Sequence, residues 1–144
     1  MRGPPSVAEG EGEEGGGLGY ALVGTKNLET ARRFFDRVFA ELKMGRLFDR
    51  RDMSYWGSSF TGGAIGVCRP FDRNAASAGN GAMLAIRAPG RAAVDAAHAA
   101  ALAQGGTDEG KPGIRSGEGE TAFYAAYFRD PDGNKFSLFH IGPG

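Results

Sequence analysis

One order of predicted elements occurs twice in this chain of 144 residues. In the first half, a short strand at 20–24 precedes an amphipathic helix, and three short strand-like segments follow it. A second strand and a second helix begin at Ala82 and Arg91, so a shift of about 63 positions superimposes the two halves. This repeat predicts an α+β fold of two β-α-β-β-β modules, with the helices on one face of curved antiparallel sheets.

The element boundaries follow from periodicity and from Gly and Pro positions. Apolar residues recur at three- and four-residue spacing in the first helix, namely Leu28, Ala31, Phe34, Phe35, Val38 and Leu42. Asn27 is a suitable N-cap, and Gly45 can end this helix. Strands are predicted at 46–52, 54–60, 64–71 and 82–88, and the second helix at 91–104. The polar segments 72–81 and 107–120 are predicted as loops, the latter containing at most a short strand.

The second module ends in a predicted hairpin. Two apolar, aromatic runs flank Asp130-Pro-Asp-Gly-Asn134, and this sequence suits a type I turn with a glycine bulge at Gly133. Because side chains alternate along a strand, Ser137 and Phe139 face one side while Phe136, Leu138 and His140 face the other. We expect the Phe136 side to pack on a helix, so Ser137 should face a cavity.

Composition narrows the class of protein. Seventeen basic and 17 acidic residues balance, which gives no electrostatic reason to expect nucleic acid as a partner. The single Cys68 excludes an internal disulfide, and no apolar run resembles a signal peptide or a membrane span, so we expect a cytoplasmic protein. The Gly/Glu-rich segment 1–18 has almost nothing to bury and is predicted as a disordered tail before one domain at 19–144.

The paired modules, about 19–71 and 80–141, and the segment Tyr127–Asn134 resemble the glyoxalase/bleomycin-resistance/extradiol-dioxygenase group, also called the vicinal oxygen chelate superfamily. The resemblance covers about 19–141. It implies curved sheets around a cavity and frequent homodimers formed by module pairing. In many members it also implies one divalent metal, held by His, Gln or Glu side chains at the start of each module's first strand and the end of each module.

The ligand positions implied by the resemblance hold no usual metal ligand here. They fall at Tyr20, Met83, Ser137 and either Ile65 or Val67. In this family the nitrogen and oxygen donors for Zn²⁺, Mn²⁺, Ni²⁺ or Fe²⁺ are supplied by His, Gln or Glu. The two histidines lie elsewhere, His98 within a helix and His140 on the strand face opposite Ser137. We therefore expect no metal and no other cofactor.

The sequence thus predicts a protein that binds a small organic molecule, with any acidic group of that ligand facing Arg69 or Arg87. The candidate binding residues are Tyr20, Trp56, Arg69, Met83, Arg87, Tyr124, Tyr127 and Ser137. Tyr124 and Tyr127 have opposite strand parity, so only one of them can face the cavity. One alternative is a metal-dependent lyase of the lactoylglutathione-lyase type, or a dioxygenase, that holds one divalent metal through a non-standard ligand set. Another is an interaction module that dimerises through its sheet edges. No catalytic residue is assigned.

Overall fold

The computed structural model describes residues 15–59 and 61–144. Its elements in chain order are β1 (Tyr20–Gly24), α1 (Leu28–Ala40), β2 (Gly45–Arg50), β3 (Met53–Gly57), β4 (Ala64–Cys68), β5 (Leu84–Arg87), α2 (Arg91–Ala103), β6 (Thr107–Ser116), a 3₁₀ turn (Gly119–Thr121), β7 (Phe123–Arg129) and β8 (Lys135–Ile141). Residues 1–14 of the predicted tail lie outside the described part of the chain. Neither α1 nor α2 has the length and apolar run that a membrane-spanning helix requires.

The described strands form two four-stranded sheets, one from each half of the chain. Sheet 1 has the order β1-β4-β3-β2 and sheet 2 the order β5-β8-β7-β6. In each sheet the first strand pairs parallel with the last one, which makes both sheets mixed and corrects the prediction of antiparallel sheets. The reason is the helix that follows the first strand of each module, because it returns the chain to the end of the sheet where that strand began. The next three strands then run in alternating directions, so the last of them is parallel to the first strand of the module.

Helix α1 packs between the two sheets. Asn27 caps it, since its side chain accepts a hydrogen bond from the Thr30 N–H. The centroid of the Phe35 ring lies 5.6 Å from that of the Trp56 ring in sheet 1 and 5.4 Å from that of the Phe136 ring in sheet 2. The ring of Phe34 packs against that of Phe128 in sheet 2, with a distance of 6.0 Å between the ring centroids. One aromatic cluster, fully removed from water, therefore joins the two modules.

The sequence-based prediction was wrong for strand β6. Ten residues, Thr107–Ser116, form an edge strand where a loop was predicted. Its pairing with β7 is irregular, with register shifts on both sides of Gly110. The Arg115 guanidinium lies 5.5 Å from the Tyr127 ring centroid, and Arg129 donates to Glu109 at 2.6 Å. Contacts from β7, and not strand propensity, thus hold this Gly-rich segment extended.

The predicted turn of the last hairpin is confirmed. The Gly133 N–H donates to the Asp130 carbonyl at 2.9 Å, and Gly133 has a φ of 91°. Asp130 Oδ1 accepts from the N–H groups of Asp132 and Asn134, at 3.0 and 2.8 Å. The turn is therefore held by the Asp130 side chain as well as by its backbone.

This turn also binds the first module, through contacts that we call the turn clamp. Thr25 Oγ1 donates to Asp132 Oδ2 at 2.6 Å, and the Lys26 N–H donates to Asp132 Oδ1 at 2.8 Å. The Asn134 side-chain amide donates to the Gly24 carbonyl at 3.0 Å. The same amide donates to Asp130 Oδ2 at 2.9 Å, so the clamp and the turn form one hydrogen-bonded network.

Asp130 lies deep in that network. Its side chain is almost entirely buried, and burial raises the pKa of Asp130 from 3.8 to about 6, although hydrogen bonds from the Asn134 side chain and backbone oppose the rise. The nearby Asp132 carboxylate adds to the rise in the pKa. The folded protein therefore holds a proton on Asp130 more firmly than the unfolded chain does.

Candidate functional site

A cleft of about 530 Å³, which we call the intermodule cleft, lies where the start of β4 approaches β5. The turn that follows α1, at residues 42–44, closes a further side. Its apolar wall comprises Leu18, Leu42, Met44, Ile65, Ile86, Pro89 and Phe139. A volume of this size with mainly apolar walls is typical of small-molecule sites.

Two basic side chains, Arg87 and Lys43, line the same cleft, and no acidic residue of the described chain lines it. Arg87 ends strand β5, and Lys43 follows α1. Within residues 15–59 and 61–144, neither of these cations has an ion-pair partner. The cleft therefore offers positive charge beside apolar surface without an internal counter-charge.

The backbone at Lys43 is unusual for this residue type. Lys43 has a φ of 59°, in the left-handed region that favours glycine. It ends α1 in a Schellman motif, since the Lys43 N–H donates to the Ala40 carbonyl at 3.1 Å and the Met44 N–H donates to the Phe39 carbonyl at 3.0 Å. The turn that sequence reasoning assigned to Gly45 is thus made two residues earlier, at a lysine that lines the cleft.

The face of each sheet directed away from the helices, called here the outward face, holds several predicted residues. On sheet 1, Tyr20 makes an edge-to-face contact with Tyr55 at 5.3 Å. On sheet 2, Ser137 pairs with Tyr127 and with Ala85, and the Lys135 ammonium lies 5.8 Å from the Tyr127 ring. Met83, which precedes β5, is 45% exposed.

Tyr124 and Tyr127 lie on opposite faces of sheet 2. The Tyr124 hydroxyl donates to Asp95 of α2 at 2.5 Å, which places Tyr124 on the helix side of sheet 2. Tyr127 has the opposite parity and shares the outward face with Ser137. Hydrogen bonding to Asp95 and burial both raise the pKa of the Tyr124 hydroxyl.

Two other predicted residues lie apart from the intermodule cleft. Trp56 is fully buried on the helix side of sheet 1, where its Nε1–H donates to Asp36 at 2.8 Å. Arg69 follows β4 and lines a different cavity, together with Thr25 and Lys26. The structure therefore does not bring the eight candidate residues into one site, and Arg87 alone among them lines the intermodule cleft.

Sequence reasoning missed Lys43, Leu42 and Met44 as cleft residues. Leu42 was assigned to the buried face of α1, and it does lie in the core as well as at the cleft wall. A basic residue directly after the last apolar position of an amphipathic helix was the available signal, because such residues often stand at a helix C-terminus. That signal indicates a helix end and not a ligand site, so it could not have located the cleft.

The residues at the family's metal positions do not fit a divalent metal. They supply a phenol, a thioether and a hydroxyl at Tyr20, Met83 and Ser137, and an alkyl chain in the first module. Within residues 15–59 and 61–144, no three His, Cys, Asp or Glu side chains come together as a metal centre would require. The Cys68 thiol is half-buried, and burial raises its pKa, which disfavours the thiolate form that metals bind.

The model of the Glyoxalase/Bleomycin resistance protein/Dioxygenase superfamily matches residues 17–138. The chain belongs to this superfamily. A solved structure of a glyoxalase/bleomycin resistance protein from Albidiferax ferrireducens T118 is 34% identical in sequence, with a TM-score of 0.77, and the match covers 85% of this chain and 97% of that one. The match confirms the predicted fold family, and the part of the chain that the structure describes has two α-helices and two mixed sheets that do not close into a barrel.

Two solved structures with lower sequence identity have the same fold. A glyoxalase-related enzyme from Fulvimarina pelagi is 15% identical, with a TM-score of 0.67 and coverage of 86% of this chain and 87% of that one. A glyoxalase/bleomycin resistance protein/dioxygenase family enzyme from Burkholderia phytofirmans PsJN is 19% identical, with a TM-score of 0.64 and coverage of 86% and 98%. A comparison with curated proteins gave no match. At these identities the likeness concerns the fold.

Proposed function

We propose that this chain binds a small organic acid in the intermodule cleft, without a resident metal. The observation that carries the proposal is the pair Arg87 and Lys43, two cations without an ion-pair partner in the described chain, at a cleft of about 530 Å³ with apolar walls. An apolar ligand body would cover the walls, and a carboxylate would neutralise the cations.

The strain at Lys43 supports the same proposal. A lysine with positive φ costs about 1 kcal/mol relative to a relaxed backbone, and a glycine would avoid this cost. Such positions concentrate at sites where a side chain has a task. Lys43 brings a positive charge to the cleft, which a glycine could not do.

The proposal is tested with a matched pair of probes, hexanoate and its neutral amide hexanamide. Calorimetric titration should show hexanoate binding more tightly than hexanamide, because only the carboxylate can accept charge-assisted hydrogen bonds from Arg87 and Lys43. Arg87→Gln should weaken hexanoate binding about 10-fold. Arg37→Gln, which removes an exposed arginine of α1 outside the cleft, should leave it unchanged.

Equal affinity for the acid and the amide, or equal loss in the two variants, would contradict the proposal. So would the failure of every member of a panel of aliphatic and aromatic carboxylates to bind. The titration is repeated after chelation and with added Zn²⁺ or Mn²⁺. If hexanoate binding required either metal, the result would favour the metal-dependent lyase or dioxygenase and overturn the proposal of binding without a metal.

The homodimer implied by the resemblance stays a prediction. The outward faces leave Tyr20 and Leu22 56% and 44% exposed, and pairing of these faces would cover them. Sedimentation at low protein concentration checks this prediction, and a monomer there would contradict it.

A further inference from the structure

A second cavity, of about 430 Å³, lies away from the intermodule cleft and is lined by three basic side chains. Lys26 comes from the segment between β1 and α1, Arg69 follows β4, and Arg73 lies in the loop after Pro70. No acidic residue of the described chain lines this cavity, which we call the basic pocket. The basic pocket is separate from the intermodule cleft, so the binding of an organic acid there would leave its positive charge unneutralised.

The backbone holds these three residues in place. The Lys26 N–H belongs to the turn clamp, and the Arg69 N–H donates to the Asp52 carbonyl at 2.9 Å. Arg73 has a φ of 65°, and its N–H donates to the Pro70 carbonyl at 3.0 Å, which closes a tight turn. The backbone that carries these three exposed side chains is therefore tied by hydrogen bonds to the rest of the fold.

Close packing supports the floor of the basic pocket. A Cβ added at Gly24 would lie 3.2 Å from the Ala76 Cβ and 3.7 Å from the Pro70 side chain, so the loop after β4 rests directly on the end of β1. The nearby N-terminus of α1 is already capped, because the Asn27 side chain accepts the Thr30 N–H. The basic side chains alone define the site.

Their charges are only partly balanced. The Arg73 guanidinium donates to Asp52 at 3.1 Å, which orients it. Lys26 and Arg69 have no ion-pair partner within residues 15–59 and 61–144. Two guanidinium groups and an ammonium around one pocket suit an anion with several acceptor oxygens and more than one charge.

We propose that the basic pocket binds the phosphate group of a small phosphorylated molecule. A phosphate carries a charge of about −1.5 to −2 at neutral pH and three acceptor oxygens, whereas a carboxylate carries one charge and two oxygens. Guanidinium groups bind phosphate in a bidentate manner, and no ion pair within residues 15–59 and 61–144 occupies the Arg69 guanidinium. Pro70, Ala75 and Ala76 provide apolar surface for the carbon part of a phosphate ester.

The test is calorimetric titration of the full chain with pyrophosphate, inorganic phosphate and glycerol phosphate. We expect saturable binding of at least one probe with one site per chain. Arg69→Gln should weaken it about 10- to 100-fold, as expected for loss of a charge-assisted hydrogen bond. Arg51→Gln serves as the matched control, because Arg51 lies beside Asp52 in sequence but does not line the pocket.

Each outcome decides the proposal. Equal weakening in Arg69→Gln and Arg51→Gln would show a general positive field and overturn the site. Absence of saturable binding with all three probes would also overturn it. Tighter binding of glycerol phosphate than of inorganic phosphate would support the proposed phosphorylated molecule. Tighter binding of inorganic phosphate would overturn it in favour of the free anion. Arg87→Gln should leave phosphate binding unchanged, which separates this test from that of the intermodule cleft.

Discussion

The Asp130 carboxyl should make the stability of this protein depend on pH in an unusual direction. Burial raises the pKa of Asp130 from 3.8 to about 6. The contribution of this group to stability is therefore fully present below pH 3.8 and is lost as pH rises through about 6. Each pKa unit corresponds to about 1.4 kcal/mol, so the complete loss amounts to about 3 kcal/mol.

The perturbation that isolates this effect is Asp130→Asn. Asparagine does not titrate and keeps one oxygen for the N–H groups of Asp132 and Asn134. Other carboxyls act in the opposite sense, since the pKa values of Asp49 and Asp108 lie below 3.8. Those groups are the same in both proteins, and their effects cancel in the difference between the wild type and the variant.

Urea denaturation of both proteins at a series of pH values between about 4 and 7.5 provides the measurement. The wild type should lose up to about 3 kcal/mol of unfolding free energy relative to Asp130→Asn across this range. A difference that does not change with pH would refute the reasoning. A relative gain of the wild type with rising pH would show that the N–H donors outweigh burial and that the pKa of Asp130 is lowered.

Two further predictions concern the turn clamp and the end of α1. Asp132→Ala removes the acceptor of Thr25 and Lys26 and should cost about 1–3 kcal/mol in urea denaturation, whereas Asp72→Ala, an exposed control whose bonds stay within its own turn, should cost less than about 0.5 kcal/mol. Equal losses would mean that the clamp contributes nothing. Lys43→Gly should raise the unfolding free energy by about 0.5–1 kcal/mol by relieving positive φ, and it should weaken hexanoate binding. Glu41→Gly, at a φ of −67°, should lower the unfolding free energy, and a loss of stability in Lys43→Gly as well would contradict the assignment of strain.

The sequence predicted the parts of the fold that depend on local chemistry. The hairpin turn followed from Asp130 and Gly133, whose side-chain bonds and positive φ act within five residues. The first helix followed from its apolar spacing, although its end did not, because a lysine occupies the glycine position of the Schellman motif. Strand β6 was missed because its extended form depends on contacts with β7, and not on its own composition.

The candidate site depended more on tertiary structure. Parity along a strand separated Tyr124 from Tyr127, but only the bond to Asp95 shows which of them faces a helix. The same limit applies to Trp56, whose burial against α1 follows from the way the sheet is covered. Arg69 and Arg87 were grouped as two cations at one cavity mouth, but the cleft that Arg87 lines lies at the start of β4, whereas Arg69 follows the end of that strand.

The aromatic cluster around α1 has a consequence for how the chain is made. Phe34 and Phe35 belong to α1, but the rings that cover them on one side, Phe128 and Phe136, belong to β7 and β8, much later in the chain. During synthesis these apolar side chains stay uncovered on that side until β7 and β8 have left the ribosome. The first module therefore cannot complete its core on its own, and during synthesis it exposes apolar surface of the kind that chaperones bind.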